Sequence, residues 1–162
     1  MVSEKPVLQM MIETTSPDQT RSIAEYLGGL CRGGEILLLD GDLGAGKTCF
    51  VQGLARGLGV GSETRVTSPT FTIHAEYCGR LVLNHLDLYR LDDPVSQEGL
   101  GIVDLFGDRG GVVAVEWPEM LVDPVGGDRL EVVFHNMGES VRRLELCAFG
   151  PFHAALIEAA QA

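Results

Sequence analysis

A chain of 162 residues with 45% hydrophobic and 22% charged side chains is composed as one globular domain over residues 1–162, too short for two full cores. Its formal net charge of −11 disfavours a protein that grips nucleic acid unaided, because neutralising phosphates takes clustered lysine and arginine, but leaves open docking on a basic partner that holds nucleic acid. No apolar run approaches the roughly 18 residues of a membrane span, and the four cysteines lack ligand spacing, so the expectation is a cytoplasmic protein with reduced thiols and no membrane partner.

Val7 to Ile12 reads as a short strand. Ser16-Pro17-Asp18-Gln19 is a helix start, with serine as N-cap, proline at the first helical position and Gln19 closing a capping box. Ile23, Ala24, Leu27, Leu30 and Cys31 line one face of that helix, and Gly33-Gly34 stops it. Glu35-Ile36-Leu37-Leu38-Leu39 is an apolar run suited to a buried parallel strand. It leads into Gly41-Asp42-Leu43-Gly44-Ala45-Gly46-Lys47-Thr48, which satisfies the phosphate-binding pattern G-x-x-x-x-G-K-[ST]. The glycines let the backbone curl so that successive N–H groups point at phosphate oxygens. Lys47 supplies a point charge for the β- and γ-phosphates, and the Thr48 hydroxyl is placed to ligate Mg2+. Phe50, Val51, Leu54 and Leu58 recur at helical spacing after the loop, aiming a helix dipole at the same anion. Asp42, Leu43, Gly44, Ala45, Gly46, Lys47, Thr48 and Cys49 are therefore the expected nucleotide contacts. Lys47 is also one of only two lysines in the chain, which favours a specific task.

Val66-Thr67-Ser68-Pro69-Thr70-Phe71 places three hydroxyls around a proline. It is either a tight turn or a switch-like loop in which Thr67 or Thr70 reaches the γ-phosphate or its metal. Phe71 to Tyr77 follows as a β pattern, Cys78-Gly79 as a turn, and Arg80 to Leu88 as the returning strand. Asp87 ends that strand where a Mg2+-organising carboxylate sits in a nucleotide hydrolase, or is simply a solvated strand end. His85 has no ligand-spaced partners and reads as structural. Asp92-Asp93-Pro94 makes a break before a helical segment that runs through Gly101 to Phe106. Gly111 to Glu119 is the second strong signal: small apolar residues running into Glu116 resemble a Walker B strand, whose acid holds a metal water or orients the attacking water. Pro118 ends the strand, so Trp117 lies near the rim. Arg129 to Phe134 and Val141 to Ala148 alternate as a hairpin around Asn136-Met137-Gly138, and Phe152 to Ala160 forms a tail helix.

Four blocks in this order, Gly-Asp-Leu-Gly-Ala-Gly-Lys-Thr (41–48), Thr-Ser-Pro-Thr-Phe (67–71), His-Leu-Asp-Leu-Tyr-Arg-Leu (85–91) and Val-Glu-Trp-Pro-Glu (115–119), resemble the bacterial TsaE (YjeE) ATPases. The resemblance implies a three-layer α/β P-loop NTPase fold: a mixed, mostly parallel central sheet with helices on both faces and an antiparallel hairpin. It also implies an accessory ATPase for threonylcarbamoyladenosine at position 37 of tRNAs that read ANN codons. Such a protein uses ATP/ADP and Mg2+, associates with the TsaB–TsaD heterodimer and meets tRNA only indirectly. Lys47 and Thr48 match the phosphate and Mg2+ positions. Asp87 and Glu116 match acids associated with Mg2+ and hydrolysis, so the implied metal set is Thr48, Asp87 and Glu116 and the implied catalytic set Glu116, Asp87 and Lys47. Thr67 to Thr70 match the switch-like segment, Trp117 an indole important for activity, and, more weakly, Arg142 and Gln19 or its neighbours match groups approaching the nucleotide. Cys49 stands where threonine is common, and Ser96 and Gln97 replace a more acidic stretch; neither departure touches the chemistry. The alternatives are a small-molecule kinase, a non-catalytic nucleotide-dependent module, and a GTPase, which needs an N-K-x-D that this chain lacks.

Overall fold

The computed structural model describes residues 4–91 and 94–162; Asp92 and Asp93, read above as a break, lie outside them. The leucine run becomes strand β2 (Ile36–Asp40), with Leu37, Leu38 and Leu39 buried from both sides, as an uninterrupted apolar strand requires. β2 runs parallel to β5 (Gly111–Glu116) on one side and to β6 (Leu130–Asn136) on the other. Beyond β5 comes β4 (Val82–Asp87), also parallel, and then β3 (His74–Cys78), antiparallel at the edge. Beyond β6 comes its antiparallel hairpin partner β7 (Arg142–Ala148), and finally β1 (Leu8–Thr14), which pairs with β7 at the far edge, Leu8 opposite Ala148. The sheet is thus seven-stranded and mixed, in the order β1-β7-β6-β2-β5-β4-β3, with its parallel strands in the middle.

Period-two alternation decides what each face buries. Leu37, Leu39, Leu83, Ala114, Val132 and Leu144 point to the side covered by α1 (Pro17–Leu30), α2 (Lys47–Gly57) and α5 (Pro151–Gln161), against Leu27, Phe50, Leu54 and Ile157. Leu38, Leu86, Val113 and Val115 point to the other side, where Leu88, Leu91, Ile102 and Leu121 complete a smaller core. That second face carries α3 (Pro94–Gly99), α4 (Ile102–Leu105) and a 3-10 turn at Pro118–Met120. The helical segment expected through Phe106 is therefore two short helices, divided at Gly101, whose φ of +64° leaves the helical region. Buried Gln97 ties this layer together, donating to the carbonyls of Leu91 and Met120 and accepting from the Val122 amide.

Ser16 caps α1 as read, its Oγ accepting from the Gln19 amide at 3.2 Å. The return bond of the capping box falls one residue early, for Gln19 Oε1 accepts from the amide and hydroxyl of Thr15. α1 and α2 touch backbone to backbone: a Cβ on Gly53 would lie 2.1 Å from the Arg21 carbonyl oxygen, and one on Gly57 2.1 Å from that of Glu25. α5 is capped from a distance. The Asp128 carboxylate accepts from the amides of Phe152 and His153 and from His153 Nδ1, while His153 Nε2 accepts from the Ile36 amide at the start of β2. Partial burial pushes the Asp128 carboxyl up, but the bonds from His153 and the two amides outweigh it and hold it below the usual aspartate range. All four cysteines are free, and burial pushes the Cys31 thiol up to about 12 and Cys147 to about 11. Among the described residues, no helix is long and apolar enough to cross a membrane.

One strand begins later than its pattern. Phe71 to Ile73 belong to a loop, not to β3. Ile73 has φ +68°, a rare region for a β-branched residue, and is held there from both sides: its amide donates to the Pro69 carbonyl and its carbonyl accepts from the Asp87 amide at 2.8 Å.

Candidate functional site

The parallel strands deliver their carboxyl ends to one edge of the molecule, the side of an open α/β sheet where ligands bind. β2 ends in the loop 41–46, where Gly44 and Gly46 take φ +80° and +107°. These left-handed turns curl the loop before the Gly46 carbonyl accepts the first α2 bond, from Phe50. Arg142, from the start of β7, holds the loop from behind: its Nε donates to the Ala45 carbonyl at 3.1 Å and Nη2 to Gly44 at 3.3 Å. Its Nη1 meanwhile donates to the carbonyls of Gly138 and Val141 and to Asn136 Oδ1, so one guanidinium joins the β6–β7 turn to the phosphate loop.

Lys47 opens α2 and is 96% buried, at 4% exposure. Its Nζ donates to the Gly41 carbonyl at 2.5 Å and lies 3.4 Å from the centre of the Trp117 ring. Burial pulls the ammonium below the usual lysine range, against the opposing pull of Glu116, Glu119, Asp87 and Asp40. Trp117 reaches this position because its backbone turns left-handed, φ +61°, directly after β5, a conformation that costs about 1–3 kcal/mol in a non-glycine residue. Tyr89 packs against the indole, ring centres 4.9 Å apart.

The two carboxylates come from neighbouring parallel strands in register, Asp87 opposite Glu116. Thr48 Oγ1 donates to Glu116 at 3.2 and 3.4 Å, and the His85 imidazole contacts Glu116 Oε2 through Nε2 at 2.5 Å. Asp87 is gripped by the loop before β3: Ser68 Oγ and Thr70 Oγ1 both donate to Oδ2, while the Tyr89 amide donates to Oδ1. A cleft of about 340 Å3 gathers Leu43, Gly44, Gly46, Lys47, Thr48 and Cys49 with Thr70, Asp87, Glu116 and Trp117. Ser68, part of the switch-like segment, and Tyr89, to which sequence spacing assigns no role, also line it. Asp42 and Ala45 belong to the loop but are not among the residues lining the cleft, and the Ala45 amide donates to the Asp42 carbonyl. Thr67 is exposed and lies outside the lining, its carbonyl accepting from the Tyr77 hydroxyl. Neither Gln19, which accepts from Thr15, nor Arg142, which holds the loop through its carbonyls, is among the residues lining the cleft.

A curled glycine loop at the head of a helix, a buried lysine and an in-register pair of acids on adjacent parallel strands define a nucleotide-binding protein of the P-loop class. The family model "Threonylcarbamoyl adenosine biosynthesis protein TsaE" matches residues 14–144, and the chain belongs to the TsaE family. It is 40% identical over 152 residues to the tRNA threonylcarbamoyladenosine biosynthesis protein TsaE of Bacillus subtilis (strain 168), covering 93% of this chain and 92% of that one. It is 42% identical to the Treponema pallidum (strain Nichols) protein of the same name, over 68% of this chain and 79% of that protein. Among solved structures, "Crystal structure of Bacillus subtilus YdiB" superposes with a TM-score of 0.81 at 35% identity, covering 95% of both chains.

Proposed function

We propose that this protein is the accessory ATPase of threonylcarbamoyladenosine formation at position 37 of tRNAs reading ANN codons, acting in the cytoplasm on the TsaB–TsaD complex and meeting tRNA only through it. The observation that carries this reading is the convergence of Lys47, Thr48, Asp87 and Glu116 on one cleft in a chain of the TsaE family. The names of its relatives support the biosynthetic role.

The donor set suits Mg2+. A hydroxyl and two carboxylates are hard oxygen donors, and Mg2+ in nucleotide sites takes one or two carboxylates with phosphates and waters completing its shell. Among the described residues no three Asp, Glu, His or Cys cluster to hold a metal by themselves, in keeping with a cation that arrives with its nucleotide. When bound, the metal would offset negative charge on the phosphates. In this reading, the loop amides and Lys47 bind the phosphate oxygens of ATP or ADP, Thr48 would hold the metal, and Asp87 and Glu116 would hold the metal or its waters and orient the attacking water. Ser68 and Thr70 leave Asp87 as the γ-phosphate enters, so the 67–71 loop carries the nucleotide state to the partner. No arginine lines the cleft, and Arg142 is engaged on carbonyl groups, which supports slow hydrolysis by this chain alone and stimulation by the partner.

The test is ATP turnover by the protein alone and with purified TsaB–TsaD, for wild type and Glu116→Gln. Turnover is expected to rise with the partner and to fall about 100-fold or more in the variant, with Mg2+-free nucleotide affinity retained. Tight nucleotide binding without any stimulated turnover would instead make the chain a non-catalytic nucleotide-dependent module.

A further inference from the structure

We infer that His85 is a positioning residue, which fixes the Glu116 carboxylate by donating a hydrogen bond from Nε2–H. The inference deepens the function proposed above and rests on the role given there to Glu116. β4 and β5 pair in parallel, so His85 stands opposite Ala114, and Glu116 lies two residues further along on the same face. On the other flank His85 stands opposite Ala75 of β3. Small methyl side chains on both sides leave room for an imidazole in the layer between sheet and α2, and let it reach one row along to the acid. The ring is fully buried and lies 2.5 Å from Glu116 Oε2.

The tautomer follows from the partners. Thr48 donates to both Glu116 oxygens, so the carboxylate is the acceptor in these contacts and His85 Nε2 carries the hydrogen. Nδ1 has no partner of its own: it is the one buried side-chain nitrogen or oxygen among the described residues left without a hydrogen bond. A hydrogen there would be a buried donor with nothing to meet, so the hydrogen-bond geometry favours the tautomer that carries its hydrogen on Nε2. His85 is therefore held by a single polar contact, and that contact ends on the acid. Because the imidazole occupies Oε2, rotation of the carboxylate is blocked and Oε1 stays turned to Thr48, the hydroxyl placed for the metal. A donor behind a metal-site ligand typically changes affinity or activity about 10–100-fold when removed.

The experiment compares His85→Leu, His85→Asn and His85→Gln in the full chain. Glutamine carries its amide nitrogen where Nε2 lies, and asparagine where Nδ1 lies, so the two separate a donor aimed at Glu116 from a polar group that merely fills space. Three readouts are needed: fluorescent ATP-analogue affinity with and without Mg2+, partner-stimulated turnover, and a long-range 1H–15N spectrum of the ring in wild type. The spectrum is expected to report the Nε2–H tautomer. The leucine and asparagine variants should lose about 10–100-fold in turnover together with the gain in affinity that Mg2+ brings, while Mg2+-free affinity stays within about twofold; glutamine should restore both. An Nδ1–H tautomer, equal behaviour of Asn and Gln, or wild-type turnover and Mg2+ dependence in the leucine variant would each overturn the inference. If wild type itself binds no nucleotide, the function proposed above fails instead. The ring spectrum and the melting of His85→Leu, Glu116→Gln and the double variant then decide the pairing, additive losses counting against it.

Discussion

Under the function proposed above, the contact between Lys47 and Trp117 is one that nucleotide is expected to alter. A buried ammonium over an indole face gains on the order of 2 kcal/mol, and here it lies 3.4 Å from the ring centre. The same ammonium is the charge available to phosphate, so binding draws it from the ring toward the loop. Trp117 is the one tryptophan in the chain, which makes its emission a site-specific signal. Titration with ATP and Mg2+ is expected to give a saturable change in tryptophan fluorescence, and Lys47→Ala to weaken binding about tenfold or more, roughly 1.4 kcal/mol. Constant emission across a titration that calorimetry shows to be saturating would mean that Lys47 keeps its place on the indole. The left-handed backbone of Trp117 belongs to the same design, because an extended residue there would continue β5 and carry the indole elsewhere.

At the scale of elements, the phosphate loop is aimed by what lies behind its helix. α1 and α2 approach so closely at Gly53 and Gly57 that any side chain there meets a carbonyl oxygen of α1. Gly53→Ala is expected to destabilise by roughly 1–3 kcal/mol through forced separation of the helices, read as a lower Tm, and to weaken nucleotide binding because α2 carries Lys47 and Thr48. An unchanged Tm would show that the pair can slide apart without strain. What could be read in advance divides along the same line. The loop 41–48 and the Ser16 cap were legible because glycine, proline and serine act on their own backbone within a few residues. The beginning of β3 was not, since Ile73 is turned out of the strand by Pro69 and by Asp87, a residue on another strand. Nor was the grip of Arg142 on Ala45, which needs β6 and β7 docked beside β2. His85 read as structural because its partner, Glu116, is set by the register of β4 on β5, a pairing with no signature in spacing.

For the whole molecule, net charge opposes a direct contact between this chain and RNA. With 12 lysines and arginines against 23 acids, the chain repels a polyanion, and several of its arginines are already committed within the fold. Arg129 bridges Glu4 and Glu131, Arg80 donates to the carbonyls of Cys31 and Gly28, and Arg142 clamps the phosphate loop. Mobility-shift titration with tRNA at physiological salt should show no complex at micromolar protein unless TsaB–TsaD is present; tight binding by the chain alone would remove the argument for an indirect contact.

The placement of β1 has a consequence for the order in which the molecule is made. Its one strand neighbour is β7, and Leu8 opposite Ala148 closes a loop of some 140 residues before any hydrogen bond of that pair forms. On the ribosome, β1 therefore leaves the exit tunnel long before its mate exists, with Met10 and Ile12, which later pack against the core, still uncovered. The glycine loop, α2 and the β4–β5 ladder assemble from sequence already at hand. Growth of the polypeptide thus completes the residues of the nucleotide edge before β1 can find its partner strand, and β1 stays unpaired until β7 is made.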